Sequence, residues 1–251
     1  MFPMCPKCRH RLATPAGAIA CPACGLVFAK FVAARQGAPL REEPDLAEHE
    51  RDPLDTPLGR LLWVPERVES WQVYARIAAF VLLAVWGWRI AAMDIRDGEM
   101  GSSFMHVIHL AFHEAGHVLF MPFGEFMTVA GGTLLQLGIP LIAGAALHWK
   151  NHDNFGASLG LWWFATSFMD VAPYAWDALQ PQLTLLNGHT GADGGHDWIY
   201  LLGETGLLQR AHAVGRGFHV AGIVLMLIAN AWSAAVLWRQ FRNRTDRPTL
   251  D

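Results

Sequence analysis

From residue 71 onward the chain runs through stretches of about 20 apolar residues separated by short connectors, the length at which a helix crosses a hydrocarbon core. The stretches are 71–93, 103–121, 127–149, 155–178 and 212–238, and the last holds 21 residues, Phe218 to Trp238, without a formal charge. Arg76 and Arg89 sit near the ends of the first, where their stems can snorkel to an interface. Any one such stretch also suits a buried helix of a large soluble protein. Five in succession predict an all-α polytopic membrane protein with five or six spans.

Upstream the pattern changes. Between Arg41 and Asp55 seven acidic residues face two arginines, with Pro39, Pro44, Pro53 and Pro57 spaced through the region. Such a stretch cannot bury enough apolar surface to fold alone. It is followed at 61–70 by LLWVPERVES, whose Trp63, with Trp71 just beyond, suits a headgroup boundary. Residues 34–70 are therefore expected to form an acidic, proline-containing linker and interfacial lead-in. Residues 71–240 form the membrane-embedded domain, and 241–251 a basic tail.

Alternating spans put constraints on sidedness. Helix 103–121 crosses one way, 127–149 crosses back and 155–178 returns, so 179–211 emerges where 103–121 ends. Arg60, Arg67 and Arg76 favour a cytoplasmic amino-terminal side by the positive-inside tendency, and Arg239, Arg242, Arg244 and Arg247 favour the same side for the tail. Five spans cannot satisfy both, which leaves either a short crossing or re-entrant segment at 198–211 or a miscounted span.

Composition agrees with a membrane protein: 53% of residues are hydrophobic and 16% charged. A net charge of −3 gives no global sign of a nucleic-acid partner. All four cysteines lie in the first 24 residues, as Cys5-Pro6-Lys7-Cys8 and Cys21-Pro22-Ala23-Cys24. Two C-x-x-C turns, each pointing two thiolates at one ion, predict a structural four-thiolate zinc ribbon over residues 1–33 in a reducing compartment, rather than disulfides. A unit of some 30 residues has too little core to fold without metal. Lys7, Arg9, Arg11 and Lys30 are a weak nucleic-acid footprint, and a protein partner of the ribbon stays open. No basic region followed by an apolar run marks a cleaved signal peptide. The expected location is the bacterial inner (cytoplasmic) membrane, with the ribbon in the cytoplasm.

The second apolar stretch carries His113-Glu114-Ala115-Gly116-His117. H-E-x-x-H sets two imidazoles one turn apart on one helix face, where both reach a single zinc ion, with the glutamate beside them as general base and acid. Glu114 is the only formally charged residue between Glu99 and Glu125, and an ionisable group inside an apolar span is by default functional. His106 and His109 extend the same face as lining or supporting residues. A catalytic zinc needs a third protein ligand. Asp177 is the first candidate, at the end of Asp170-Val-Ala-Pro173-Tyr-Ala-Trp-Asp177. Asp197 or its neighbour His196 is the second, although Asp197 also suits a helix N-cap before WIYLL. Glu204 is a third.

His113-Glu114-Ala115-Gly116-His117 within an apolar helix resembles the site-2 protease family of intramembrane zinc metalloproteases. In that family a later helix supplies an aspartate within N-x-x-P-x-x-x-L-D-G. Asp170-x-x-Pro173-x-x-x-Asp177-Ala178 keeps the proline spacing but has Asp for Asn, one residue fewer before the ligand, and Ala for Gly. Gly131-Gly132-Thr133-Leu134-Leu135-Gln136 through Pro140 is similar to the family's small-residue segment that holds substrate extended; close helix packing through the glycines is the other use for it. The resemblance covers roughly residues 100–200. It implies a catalytic zinc ion, besides the structural zinc of the ribbon, and hydrolysis of a peptide or transmembrane-segment substrate at or within the lipid bilayer, with Glu114 as base. A non-catalytic zinc-binding scaffold or sensor and a zinc transporter are the alternatives.

Overall fold

The computed structural model describes residues 4–12, 19–35, 56–186 and 188–246. The acidic stretch at 36–55 and the last five residues of the basic tail lie outside the described residues. The chain divides into two compact units, Met1–Asp52 and Pro53–Asp251.

The first unit is a tandem of two like turns followed by helix α1 (Phe28–Arg35). Each turn is closed by a short antiparallel bridge, Met4 with Arg11 and Ala20 with Val27. In each, the first cysteine's amide donates to a carbonyl five residues on (His10, Leu26), and its carbonyl accepts the amide four residues on (Arg9, Gly25). Arg9 and Gly25 both take left-handed backbone, with φ of 58° and 70°. Cys5, Cys21, Leu12 and Phe28 form the small core.

In the second unit, α2 (Pro57–Leu61) is capped by Thr56, and a lead-in follows to α3 (Ser70–Ala91). Then come α4 (Phe104–Phe120), α5 (Glu125–Trp149), α6 (Asn154–Asp177), the short α7 (Asp197–Glu204) and α8 (Ala211–Arg242). Ser103 starts α4 by accepting the His106 amide, and Gly124, at φ 93°, turns the chain from α4 into α5. α6 is the central helix. It buries sixteen of its residues and packs against α3, α4, α5, α7 and α8.

The helix ends sort into two groups. Strands β1 (Val68–Glu69) and β2 (Arg244–Thr245) pair in parallel, Val68 with Arg244 and Glu69 with Thr245, so α3 begins where α8 ends. Asn154, the first residue of α6, donates to the Arg60 and Trp63 carbonyls and bonds His148 near the end of α5. At the other end lie the ends of α3 and α6 and the starts of α5 and α8: Leu183 packs on Gly98, Phe126 meets Tyr200 of α7, and Trp198 meets Phe218 of α8. α4 runs antiparallel to α5, with Gly116 at Gly131 and His113 at Gln136, and its first residues pack inside the bundle, Phe104 on Trp86 and Met105 beside Trp162.

Among the described residues, three helical segments are long and apolar enough to cross a membrane: Ser70–Ala91, Glu125–Trp149 and Leu208–Arg242. The expectation of five or six is thus not met by length and composition. α4 has 17 residues, about 25 Å of helix against a hydrocarbon core of about 30 Å. α6 is long enough but carries Asn154, Ser158, Thr166, Ser167, Asp170 and Asp177, all buried among its neighbours. The segment 198–211 holds only the eight-residue α7 and a short 3-10 turn, too short to cross.

Bare backbones bring α5 and α6 together. A Cβ added at Gly160 would sit 2.5 Å from the Gly144 Cα, whereas one at Gly138 would meet nothing within 4 Å. Gly160→Ala is expected to cost about 1–3 kcal/mol through overpacking and to lower the melting temperature in detergent, while Gly138→Ala leaves it unchanged or raised.

Candidate metal centres

Among the described residues, two side-chain clusters have ligand atoms close enough to share one metal ion: Cys5, Cys8, Cys21 and Cys24 in the first unit, and His113, His117 and Asp197 in the second. In the first, the Cys5 and Cys24 sulfurs lie 3.6 Å apart and those of Cys8 and Cys21 3.7 Å apart. Thiolates bound at about 2.3 Å in a tetrahedron stand about 3.8 Å from one another. Burial opposes ionisation of Cys5, but the amides of Cys8 and Lys7 and the Cys24 and Cys21 thiols bring its pKa down to about 6. Cys8 receives the His10 amide, yet burial and the three sulfurs around it push its pKa up to about 12. Thiols packed this way do not all ionise without a cation among them, so the donor set fits a metal ion.

The second cluster is assembled from two helices, α4 and α7. His113 and His117 stand one turn apart on α4, their ring centroids 4.8 Å apart. The His113 Nε2 is 2.8 Å from the Asp197 Oδ2, and the His117 Nε2 is 3.3 Å from the same oxygen. Donors bound at about 2.0–2.1 Å in a tetrahedron stand about 3.3 Å apart, so a small expansion about His113 accommodates an ion.

The other ring nitrogens fix the tautomers. Gln136 of α5 donates its Nε2–H to the Asp170 Oδ2 at 2.8 Å, which leaves its Oε1 to accept from the His113 Nδ1–H at 3.0 Å. The His117 Nδ1–H donates to the Thr128 carbonyl at 2.9 Å. Each neutral imidazole has then used its one proton on Nδ1, and both Nε2 lone pairs face a carboxylate oxygen. Three acceptors converge with no hydrogen between them, an arrangement that a cation satisfies. A second ring N–H anchored in this way is also the usual support of a metal-bound histidine.

Space for the ion comes from Gly132 of α5. A Cβ there would lie 2.7 Å from the Nε2 of His113 and 2.7 Å from the Nε2 of His117. Gly116 and Gly131 bring the two helices together: a Cβ on Gly116 would stand 2.1 Å from the Gly131 carbonyl oxygen. The Gly131–Pro140 segment is thus part of the α5 helix, with Gly131 spent on close packing and Gly132 on clearance at the imidazoles.

The candidate third ligands separate. Asp197 meets the histidines; Asp177 does not. Seven residues along a helix is about 10 Å, so Asp170 sits level with Gln136 while Asp177 lies beyond it, at the end of α6. There its carboxylate accepts the amides of Gln182 at 2.8 Å and Leu183 at 3.2 Å. His196 is not in the cluster either; it is the N-cap of α7, its Nδ1 accepting from the Ile199 amide at 3.3 Å, and Asp197 is the first helical residue rather than the cap. Burial pulls the His196 pKa below its ordinary value against the opposing pull of Asp177. Glu204 ends α7, exposed and outside the cluster. Glu114 is exposed on α4 and acts electrostatically on His113 and Tyr174.

His106 and His109 both lean on Asp170, at 2.8 and 3.4 Å. Asp170, Gln136, Thr128, Tyr174 and Gly132 are site residues that motif spacing did not single out as such. The one available signal was their polarity, or smallness, within otherwise apolar helices.

No protein-family model, no curated protein and no solved structure matches the chain.

Gly132→Ala is expected to abolish metal binding at the histidine cluster, because the new methyl takes the ion's place. Metal analysis of the purified chain is expected to fall from two ions to one, with the ribbon ion retained.

Proposed function

We propose that the chain is an intramembrane zinc metalloprotease with a structural zinc in its amino-terminal ribbon. The observation that carries this reading is the convergence of two Nδ1-anchored imidazoles and the Asp197 carboxylate, with Glu114 adjacent in an H-E-x-x-H helix. Resemblance to the site-2 protease family in His113-Glu114-Ala115-Gly116-His117 supports it, and the third ligand is then Asp197, delivered by the loop after α6.

A zinc ion bound there supplies Lewis acidity, polarising the scissile carbonyl and making a water molecule acidic near neutral pH. His113, His117 and Asp197 hold the ion, and Gln136 and Thr128 keep both imidazoles in the Nε2-binding tautomer. Glu114 takes a proton from the attacking water and returns it to the leaving amine, keeping the proton count balanced. Asp170 holds Gln136 in the orientation that His113 requires. His106 and His109 are occupied with Asp170, which argues against their serving as a transport path.

The bundle then crosses the membrane four times, through α3, α5, α6 and α8, with α4 entering and leaving from one face. Both basic regions, Arg60, Arg67 and Arg76 on one side of the sequence and Arg239, Arg242 and Arg244 on the other, come to the same end. Positive-inside bias places that end in the cytoplasm, and reduced cysteines agree with it. The metal cluster, beside α7 at the opposite end, draws its water from the extracytoplasmic face.

Glu114→Gln is expected to keep both zinc ions and to lower cleavage about 10²–10⁴-fold, the usual worth of a general base. New peptide termini in membrane proteins, found with the native chain and absent with Glu114→Gln and His113→Ala, provide the readout. Identical termini from Glu114→Gln would overturn the protease assignment. For sidedness, a membrane-impermeant maleimide is expected to label Leu186→Cys in intact cells and Asp246→Cys only after lysis. Labelling of both in intact cells would refute the four-crossing arrangement.

A further inference from the structure

Asp177 and His196 are both buried, both titratable and both outside the metal cluster, yet each touches the segment that carries Asp197. The Asp177 carboxylate accepts the Gln182 and Leu183 amides, which fixes where the chain leaves α6. Its Oδ2 is 3.4 Å from the His196 Nε2, a nitrogen that has no hydrogen-bond partner among the described residues. The His196 side chain is 0% exposed. Its ring lies on Tyr174 with centroids 4.2 Å apart, and Gly191 leaves it room, since a Cβ there would sit 2.5 Å from the His196 Cδ2. The Nδ1 accepts the Ile199 amide, so the ring starts α7. On the opposite flank, the Tyr174 hydroxyl accepts the Asp197 amide at 3.0 Å. Gly194 and Gly195, at φ 105° and 81°, turn the loop into this position.

We infer that Asp177, His196 and Tyr174 form a latch that positions Asp197 as a metal ligand, without binding the ion themselves. The latch rests on the metal site proposed above. α7 is only eight residues long, and a free helix of that length is not stable. Its place must come from contacts: Trp198 and Leu202 enter the core beside α6 and α8, Tyr200 meets Phe126 of α5, and at Asp197 itself the contacts are Tyr174 of α6 and the neighbouring His196 ring. A carboxylate on an unheld α7 has many positions open to it. Held at two points of its own backbone, it presents Oδ2 to both imidazoles.

The test uses the full chain purified in detergent, with Zn²⁺ affinity by competition and the absorption of Co²⁺ bound in place of zinc. The ribbon contributes a thiolate-to-cobalt charge-transfer band, so the two sites are read separately. Asp197→Ala is expected to lose the second ion. Asp177→Ala and His196→Ala are expected to weaken Zn²⁺ at that site about 10–100-fold, the range for supporting residues of a metal site, while the Co²⁺ d–d spectrum at saturation stays that of the native chain. Asp177→Asn, which keeps an oxygen for the two amides, is expected to restore most of the affinity. Tyr174→Phe tests the other flank and is expected to weaken binding with an unchanged spectrum.

A changed d–d spectrum in Asp177→Ala would make Asp177 a ligand and end the latch. Native affinity in both alanine variants would end it too. If the native chain itself binds no second ion, and His113→Ala changes nothing, it is the metal-site proposal that fails.

Discussion

The histidine site depends on an electrostatic conflict. Two imidazoles commit their only protons to Gln136 and to the Thr128 carbonyl, and their bare nitrogens then face the Asp197 oxygen at 2.8 and 3.3 Å. In an apolar surrounding, acceptors without a hydrogen between them repel strongly. Either a proton enters one ring or a cation enters the gap. The buried polar residues of α5 and α6 belong to the same arrangement: Asp170 exists to orient Gln136, and Gln136 to orient His113. Removing any one link frees the next to rotate, so α4, α5 and α6 are tied together through His113, Gln136 and Asp170.

Close approach is what lets the site exist at all. Helices normally stand 8–10 Å apart, too far for an α5 backbone to back two imidazoles on α4 while Gln136 bonds His113 and the Thr128 carbonyl bonds His117. Glycines at 116, 131 and 132 remove the side chains that would keep α4 and α5 apart. A second glycine pair, 144 and 160, does the same between α5 and α6. α5 is therefore pressed on both sides, and its polar residues, Thr133 and Gln136, sit where the two contacts leave space.

Much of this was readable in the chain. The apolar stretches are helices with ends within a few residues of their expected places, and the paired C-x-x-C turns come together as four sulfurs. H-E-x-x-H set two nitrogens on one face because helical periodicity is local. Beyond local periodicity, legibility stopped. Five or six spans are not confirmed: by length and composition three helical segments suit a membrane, and α4, with 17 residues, is not among them. α6 was expected as a span, and the polar residues it carries are all buried among its neighbours, which a one-dimensional window does not see. The third ligand was equally hidden. Asp177 and Asp197 have the same chemistry, and only the reach of the 178–196 loop, set by glycines at positive φ and by the Asp177 carboxylate itself, decides which one arrives at the histidines.

The two-residue parallel pairing of Val68 with Arg244 and Glu69 with Thr245 has a topological consequence. It clasps the point where the chain enters the helical unit to the point where it leaves, so the two ends of that unit adjoin. A chain relinked across that clasp and cut instead at the exposed tip near Leu186 would keep every helix and every helix-to-helix contact in place. Its folding could then start from the α7–α8 segment, with Asp197 synthesised before His113 and His117.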